Sequence, residues 1–262
     1  MGLERLLNIM EKLRSPEGCP WDREQTHQTL KRYLIEEAYE VLEAIDSGDP
    51  ELLAEALGDV LLQVVFHAQI AKELGTFSMD EVIDGICEKL IRRHPHVFAD
   101  TEVASVGEVM RNWDAIKKTE KHGRERTSIL DGVPKKFPAL MRAEKIQKKA
   151  AKVGFEWDDI DGAFAKVEEE LGELRAALES GEAAKINDEF GDVLFALVNV
   201  ARYAKVDPEL ALQHATNKFV QRFHFIEEQA QAQGRSLEEM SLAEMDAIWD
   251  QAKDYFRKNP QA

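Results

Sequence analysis

The residues best suited to chemistry are acidic and come in two short runs. Glu170 and Glu173 are three residues apart, and so are Glu189 and Asp192. Residues at that spacing share one face of a helix, one turn above the other. Ser180-Gly181 lies between the runs and predicts two helices folded back on each other as a hairpin. Such a hairpin can point four carboxylates into one space.

Four carboxylates in one space limit what can bind there. Like charges repel, so at least one group has to take up a proton unless a cation lies among them. Hard oxygen ligands without histidine or thiolate suit Mg²⁺, with Mn²⁺ as a second choice. Mg²⁺ held by a few carboxylates usually shares phosphate oxygens with a substrate. The pattern therefore predicts a metal site for a phosphorylated ligand.

A solvated acidic face is the alternative interpretation. Glutamate forms helices readily, and acidic runs are usually exposed, which is the interpretation we favour for Glu168. For the four carboxylates we favour the metal site, because the apolar run Val193 to Val198 follows Asp192 directly and must in part face a core. Gly191 costs roughly 1 kcal/mol relative to alanine in a helix interior. A glycine there makes sense if a backbone or a ligand approaches closely.

Composition narrows the function classes. The chain has 262 residues, 32% of them charged, and a formal net charge of −16, which indicates a soluble globular protein. This charge argues against binding to nucleic acid or to anionic membranes. The longest uncharged apolar run, Val60 to Ala71, is too short to span a bilayer. The start lacks the pattern of a signal peptide, and Cys19 and Cys87 are too few and too far apart to indicate disulfides. We expect a cytoplasmic protein.

The periodicity predicts an all-α fold. Apolar residues recur at spacings of three and four between prolines that fall at element boundaries. Asp49-Pro50 and Asp207-Pro208 each place a capping residue before a proline at the first helical position. Capping boxes are predicted at Ser78/Glu81, Ser105/Glu108 and Ser241/Glu244. No alternating strand pattern is convincing.

The chain also repeats itself. Four blocks recur in the same order and at a nearly constant offset: Cys19 to Asp22 with Phe155 to Asp158, Glu36-Glu37-x-x-Glu40 with Glu169-Glu170-x-x-Glu173, Leu57 to Leu61 with Phe190 to Leu194, and Ser105, Glu108, Trp113 and Lys117 with Ser241, Glu244, Trp249 and Lys253. This predicts a tandem duplication. We assign residues 1–119 to the first copy, residues 120–136 to a linker and residues 137–262 to the second copy.

The two copies differ at one decisive position. The second copy has Glu189 three residues before Asp192, whereas the first has Ala56 three residues before Asp59. Glu55 is rotated by about 100° around the helix and cannot replace the missing ligand. The first copy keeps a vestigial set of three acids, Glu37, Glu40 and Asp59. We predict that its site is weak or inactive.

These residues resemble the MazG nucleoside triphosphate pyrophosphohydrolases, which carry a Glu-Glu-x-x-Glu run followed by Glu-x-x-Asp on the next helix. The resemblance covers nearly the whole chain, including the Gly-Cys-Pro-Trp-Asp stretch at Gly18 to Asp22 and the stretch from Arg92 to Phe98. It implies an all-α enzyme with a Mg²⁺-binding four-helix core that forms on homodimerisation. It also implies conversion of nucleoside triphosphates to monophosphates and pyrophosphate, with the second copy as the catalytic one.

On this interpretation Glu170, Glu173, Glu189 and Asp192 are the metal ligands. Glu169 is then a catalytic base, or it orients one of the ligands from outside the metal shell.

Four further residues of the second copy are candidates for substrate binding. Lys218 and Arg222 are four apart on one helix face and could hold phosphates, or they are ordinary surface charges. Trp249 could stack on a base while Lys253, four residues later, reaches a phosphate. A tryptophan in an amphipathic helix more often belongs to an apolar core, and we favour that interpretation for Trp249.

Three other interpretations have weaker support. His94-Pro95-His96 and Glu24-x-x-His27 have metal-ligand spacing, but a zinc or di-iron centre would need more ligands. No glycine-rich phosphate loop or nucleophile elbow occurs. The main rival to an enzyme is a non-catalytic helical module that binds a nucleotide or a partner protein.

A homodimer is expected because a four-helix core closes most simply with a second hairpin.

Overall fold

The computed structural model describes residues 2–120 and 127–259, and every regular element in these two ranges is helical. This confirms the predicted all-α class. The chain divides into two compact units, Met1–Arg124 and Glu125–Ala262. The division lies within residues 120–136, which the sequence assigns to a linker, although residues 121–126 of that linker lie outside the described ranges.

The first unit contains seven described helices. They are α1 (Gly2–Arg14), α2 (Pro20–Glu24), α3 (Lys31–Ser47), α4 (Pro50–Glu73), α5 (Met79–Arg93), α6 (Pro95–Phe98) and α7 (Val106–Thr119). Helices α3 and α4 form a hairpin, and Gly48 ends α3 with a φ of 70°. Only glycine adopts such a conformation without steric cost. Asp49 then caps α4 by accepting hydrogen bonds from the backbone N–H groups of Glu51 and Leu52.

The core of this unit lies where α1 and Leu30, the residue just before α3, pack on α4. Its buried members are Met10, Leu30, Val65, Phe66 and Ile70. Helix α4 is the one helix in the described ranges that is long and apolar enough to cross a membrane by length and composition. That is weak support for a membrane span, because the same helix supplies three of the core side chains.

The second unit has the same plan. Its helices are α8 (Ala139–Ala151), α9 (Ile160–Ser180), α10 (Ala183–Tyr203), α11 (Pro208–Ala232) and α12 (Leu242–Lys258), with a short 3₁₀ turn at Leu237–Glu239. Helices α9 and α10 form the predicted hairpin, α8 packs on α10, and α12 packs on α11. Gly181 ends α9 with a φ of 69°. It is the counterpart of Gly48 in the repeat, so the duplication extends to the backbone conformation of the turn.

The caps confirm most of the predicted helix starts. Full capping boxes form at Ser78/Glu81 and Ser241/Glu244. Only one of the two hydrogen bonds of the capping box predicted at Ser105 forms, so that prediction is half wrong. The Ser105 hydroxyl accepts from the Glu108 N–H, but the Glu108 carboxylate accepts from Ala104 instead of from Ser105. The backbone N–H one residue earlier competes successfully for the same carboxylate.

Shortening Leu30 tests the core of the first unit. Leu30 is 1% exposed, so we expect Leu30→Ala to lower the free energy of unfolding by about 2–5 kcal/mol, because it removes buried methyl groups and leaves a cavity. Leu74→Ala, at a leucine that is 65% exposed, is the control, and we expect a change within about 0.5 kcal/mol. Urea unfolding followed by circular dichroism measures both, and equal losses would contradict the assigned core.

Candidate active site

The acidic residues are positioned by the buried stripe of α9. Ala163, Val167, Glu170 and Ala177 are buried, at intervals of four, three and seven residues that place them on one helix face. Glu170 is therefore a member of the stripe that packs on α10, and only 6% of it is exposed. The apolar periodicity of α9 thus brings a carboxylate into a helix interface.

The hairpin brings three of the predicted ligands together. Oxygens of Glu170, Glu173 and Glu189 all lie within 4.8 Å of one another. In octahedral coordination at 2.0–2.1 Å, opposite ligands are about 4.2 Å apart, so small side-chain movements would place all three around one Mg²⁺. Asp192, the fourth predicted ligand, is exposed and lies outside this group.

The electrostatics of the group favour the binding of a cation. Partial burial, followed by the charges of Glu173, Glu170 and Asp192, raises the pKa of Glu189 above 4.5. One oxygen of Glu170 and one of Glu189 are buried and have no hydrogen-bond partner among the described residues. A buried polar atom without a partner is costly, and more so if the group is charged. A divalent cation would satisfy both oxygens and relieve the repulsion.

A lysine supplies positive charge beside the acidic group. Lys166 Nζ lies 2.7 Å from Oε1 of Glu170 and 2.8 Å from Oε1 of Glu169. Hydrogen bonds to Glu169 and Glu170 raise the pKa of Lys166 above its usual value. Sequence reasoning missed this residue, although its spacing of three and four residues from the two glutamates predicts the contact.

The four predicted substrate-binding residues do not form a single cluster. Arg222 lies over the ring of Trp249, with the guanidinium carbon 5.5 Å from the ring centroid. Trp249 is half-buried and also contacts Phe219 at a centroid distance of 5.1 Å. Lys218 is exposed, and Lys253 pairs with Asp250 at 2.8 Å. Within residues 2–120 and 127–259, no hydrogen bond or ion pair links these four to the acidic group. Trp249 therefore packs beside an apolar residue, Phe219, and also makes a cation–π contact with Arg222.

The described part of the first copy lacks this arrangement. Ala56 is buried where the second copy has Glu189, and Glu55 is exposed, as its rotation around the helix predicts. Partial burial and the charges of Glu40 and Asp59 raise the pKa of Glu37, while a hydrogen bond from Gln63 opposes that rise. In the described part of the first unit, no three acidic ligands lie as close as those of the second.

The histidines do not form a metal centre in the described ranges. His27 Nδ1 lies 2.8 Å from His67 Nδ1, and His94 Nδ1 lies 2.7 Å from the carbonyl oxygen of Leu90. Glu170, Glu173 and Glu189 form the only group of three potential ligands among the described residues. The zinc and di-iron interpretations thus gain no support from the geometry.

Neutralising Glu189 tests the electrostatic account. The pKa of Glu189 in the folded chain exceeds its ordinary value of 4.5, so ionised Glu189 destabilises the metal-free fold at neutral pH, and stability is regained as the pH falls through the raised pKa. We expect Glu189→Gln to melt at a higher temperature than the wild type in EDTA at pH 7. This gain should shrink on acidification, because wild-type Glu189 then also becomes neutral.

The same variant should show a smaller rise in melting temperature on adding Mg²⁺, because it offers one charged ligand fewer. Glu179→Gln, an exposed position on the same helix hairpin, is the control and should match the wild type in both conditions. If Glu189→Gln lowers the melting temperature in EDTA, the repulsion inferred here is absent.

Comparison with known proteins agrees with this geometry. The family model for the MazG nucleotide pyrophosphohydrolase domain matches twice, at residues 25–98 and 161–226. Each match includes one of the two hairpins. The chain is thus similar over both units to one domain family.

Whole proteins of similar length also match. The chain is 51% identical to the "Nucleoside triphosphate pyrophosphohydrolase/pyrophosphatase MazG" of Thermotoga maritima over 95% of both proteins. It is 45% identical to the "Nucleoside triphosphate pyrophosphohydrolase" of Escherichia coli K12 over 96% of this chain and 97% of that protein. It is also 52% identical, over 96% of this chain, to the longer Bacillus subtilis protein YabN, of which it spans 52%. Two matches to the family model and full-length relatives at this identity show that the chain belongs to the MazG family of nucleotide pyrophosphohydrolases.

Proposed function

We propose that the second unit hydrolyses nucleoside triphosphates between the α- and β-phosphates, releasing a nucleoside monophosphate and pyrophosphate, and that it needs Mg²⁺ or Mn²⁺. The observation that carries this proposal is the group of three converging carboxylates with two buried, unpartnered oxygens. The names of the relatives from Thermotoga maritima and Escherichia coli point to the same reaction.

Glu170, Glu173 and Glu189 would hold the metal, and Asp192 would complete the set by a side-chain movement toward Glu189. The bound ion would neutralise phosphate charge and activate a water molecule. With that water held in place, attack on the α-phosphorus would break its bond to the bridging oxygen, and pyrophosphate would leave. Glu169 is more than half exposed and can accept the proton of the water or keep Lys166 in place.

Lys166 connects metal binding to substrate binding. Its ammonium now lies against Glu170, where it provides positive charge beside the predicted ligands. A divalent ion bound to Glu170 would compete with that contact and free the ammonium to move toward a phosphate oxygen. Arg222 and Lys218 would hold phosphates, and Trp249 would stack on the base from beside Arg222. Lys253 would reach a phosphate once it leaves Asp250.

We also propose that the active form is a homodimer. The chain exposes 18610 Å², whereas two separately folded compact halves of this size would expose about 14,000 Å². The exposed surface includes an apolar stripe along the hairpin, which we call the outer stripe. It comprises Phe164, Leu171 and Leu178 on α9 and Phe190, Leu194 and Leu197 on α10, each between 38% and 57% exposed.

The spacing of this stripe is that of a helix interface. Its members recur every seven residues on α9 and after four and three residues on α10, so each helix has one apolar edge besides the one already buried. Exposed apolar patches of this extent mark interaction sites. A second copy of the same hairpin would cover the stripe and close a four-helix core.

The rival function, a non-catalytic module that binds a nucleotide or a partner protein, predicts a different behaviour. It uses the carboxylates for solubility, and so Mg²⁺ would change neither its stability nor any turnover. The buried oxygens of Glu170 and Glu189 disfavour this interpretation, because solubility requires exposed charge. We further propose a cytoplasmic location, because Cys19 and Cys87 are both free thiols. We propose no role in binding nucleic acid or anionic membranes, because the formal net charge is −16.

Substitutions matched between the two copies test the catalytic assignment. We expect Glu173→Gln and Asp192→Asn each to lower kcat by at least about 100-fold, because each removes a charged ligand of the metal ion that would position the reacting phosphate. The controls are Glu40→Gln and Asp59→Asn, at the equivalent positions of the first copy, and they should leave kcat unchanged. Pyrophosphate release from a panel of triphosphates, with and without Mg²⁺, measures both sets. Equal effects in the two copies would contradict the assignment to the second unit.

A charge in the outer stripe tests dimerisation. Leu194 lies in the middle of the α10 stripe, and we expect Leu194→Glu to yield monomers with strongly reduced turnover, because a buried unpaired charge is unfavourable at a packed interface. Leu74→Glu, at a leucine that is 65% exposed on the first unit, should remain dimeric. Light scattering after size exclusion measures the mass, and an active wild-type monomer at micromolar concentration would rule out the proposed assembly.

A further inference from the structure

Two arginines at the end of α5 converge on a single carboxylate. Arg92 Nη2 lies 2.8 Å from Oε1 of Glu120, and Arg93 Nε lies 3.0 Å from the same oxygen. Arg93 Nη2 donates to the other oxygen, Oε2, at 2.5 Å. Glu120 follows the last residue of α7, so the contact joins the ends of two helices.

This arrangement leaves positive charge in excess. Two guanidinium groups carry two charges against one carboxylate, in a chain whose net charge is −16. The planar fork of arginine matches phosphate as well as carboxylate oxygens. The site is also accessible on one side, because the Arg92 side chain is 49% exposed while those of Arg93 and Glu120 are 12% and 18% exposed.

The surroundings offer further groups that the carboxylate does not use. The guanidinium of Arg93 lies over Trp113, 5.1 Å from the ring centroid. His94 contacts the same indole at 4.9 Å, and His96 lies 5.6 Å from His94. The Nδ1 atom of His96 is buried and has no hydrogen-bond partner among the described residues. A ligand with more oxygens than a carboxylate could engage more of these groups.

We propose that Arg92 and Arg93, above Trp113, form an anion site in the first unit that takes the phosphate groups of pyrophosphate or of a nucleotide, and that Glu120 fills this site when no such ligand is bound. The Glu120 carboxylate then acts as an internal competitor. Its release would break the tie between α5 and α7, so occupancy of the site would be transmitted to the end of α7.

The second unit offers a parallel. Arg222 lies over Trp249, and Trp249 is the counterpart of Trp113 in the repeat. This parallel rests on the proposed function of the second unit, whereas the ion-pair geometry around Glu120 does not. The simpler interpretation is that Glu120 only ties α5 to α7 and that the arginines bind nothing else.

Titration with sodium pyrophosphate separates these interpretations. The full-length chain is titrated calorimetrically, to millimolar ligand, in EDTA, so that no turnover and no metal-dependent binding at the second unit contribute. We expect Glu120→Gln to bind pyrophosphate about tenfold more tightly than the wild type if the internal carboxylate leaves the site open about one time in ten. Glu102→Gln, which removes one exposed charge from the same unit, is the control and should match the wild type.

Removing the arginines should have the opposite effect. In the Glu120→Gln background, Arg93→Gln should abolish the added affinity, whereas Arg111→Gln, at an exposed position of α7, should retain it. Adenosine monophosphate is the second probe. Binding of pyrophosphate alone would assign the site to the diphosphate, and binding of both would assign it to nucleotides as well as to pyrophosphate.

Two outcomes would overturn the proposal. One is a Glu120→Gln protein that binds pyrophosphate no better than Glu102→Gln, and the other is added affinity that survives Arg93→Gln. If Glu120→Gln fails to fold, Arg92→Gln replaces it, because Arg92 is half-exposed and the Arg93 pair remains. The affinity of Arg92→Gln for pyrophosphate must then fall below that of Arg111→Gln. Pyrophosphate release with Mg²⁺ is measured separately, so failure here leaves the proposed function intact.

Discussion

The mutual repulsion of carboxylates between α9 and α10 is the constraint on which the second unit depends. Glu170 lies in a stripe whose other buried members are alanine and valine, so the packing that forms the hairpin also brings the charge inside. The charge cannot leave without disturbing that packing. It can be offset only by a proton, by Lys166 or by a metal ion. Lys166 offsets it in part, but partial burial and the neighbouring charges still raise the pKa of Glu189, and one oxygen each of Glu170 and Glu189 has no hydrogen-bond partner among the described residues.

The first unit forms the same hairpin with fewer repelling carboxylates. Helices α3 and α4 make the same turn and bury the same kind of core with Ala56 in place of the second copy's Glu189. Gln63 adds an amide that hydrogen-bonds to Glu37, where the second copy has Ala196. Ala56 thus removes a negative charge, and Gln63 supplies a hydrogen-bond donor to the Glu37 carboxylate that remains. Because the first unit forms the same hairpin with alanine at this position, the fold does not require a glutamate there.

Local patterns in the sequence predicted most of the framework. Helix starts, the glycine turn of the hairpin and the convergence of Glu170, Glu173 and Glu189 follow from spacings of three and four residues, which fix a shared helix face. Asp192 shares the spacing but remains exposed, because spacing gives the face and not the side-chain direction. Contacts between distant segments were not predictable: Arg93 to Glu120 spans 27 residues and His27 to His67 spans 40. No periodic pattern encodes which helix ends meet.

Covering the outer stripe would also affect how strongly the acidic group binds a metal ion. In water, three carboxylates are screened and hydrated, and their attraction for a metal and for phosphates is correspondingly weak. A second hairpin over Phe190, Leu194 and Leu197 would exclude water from one side of the site, and the same charges would then act in a lower effective dielectric. The apolar residues that favour association are thus the ones that would strengthen metal binding. If the proposed homodimer forms, association of two copies would therefore also strengthen metal binding by the acidic group.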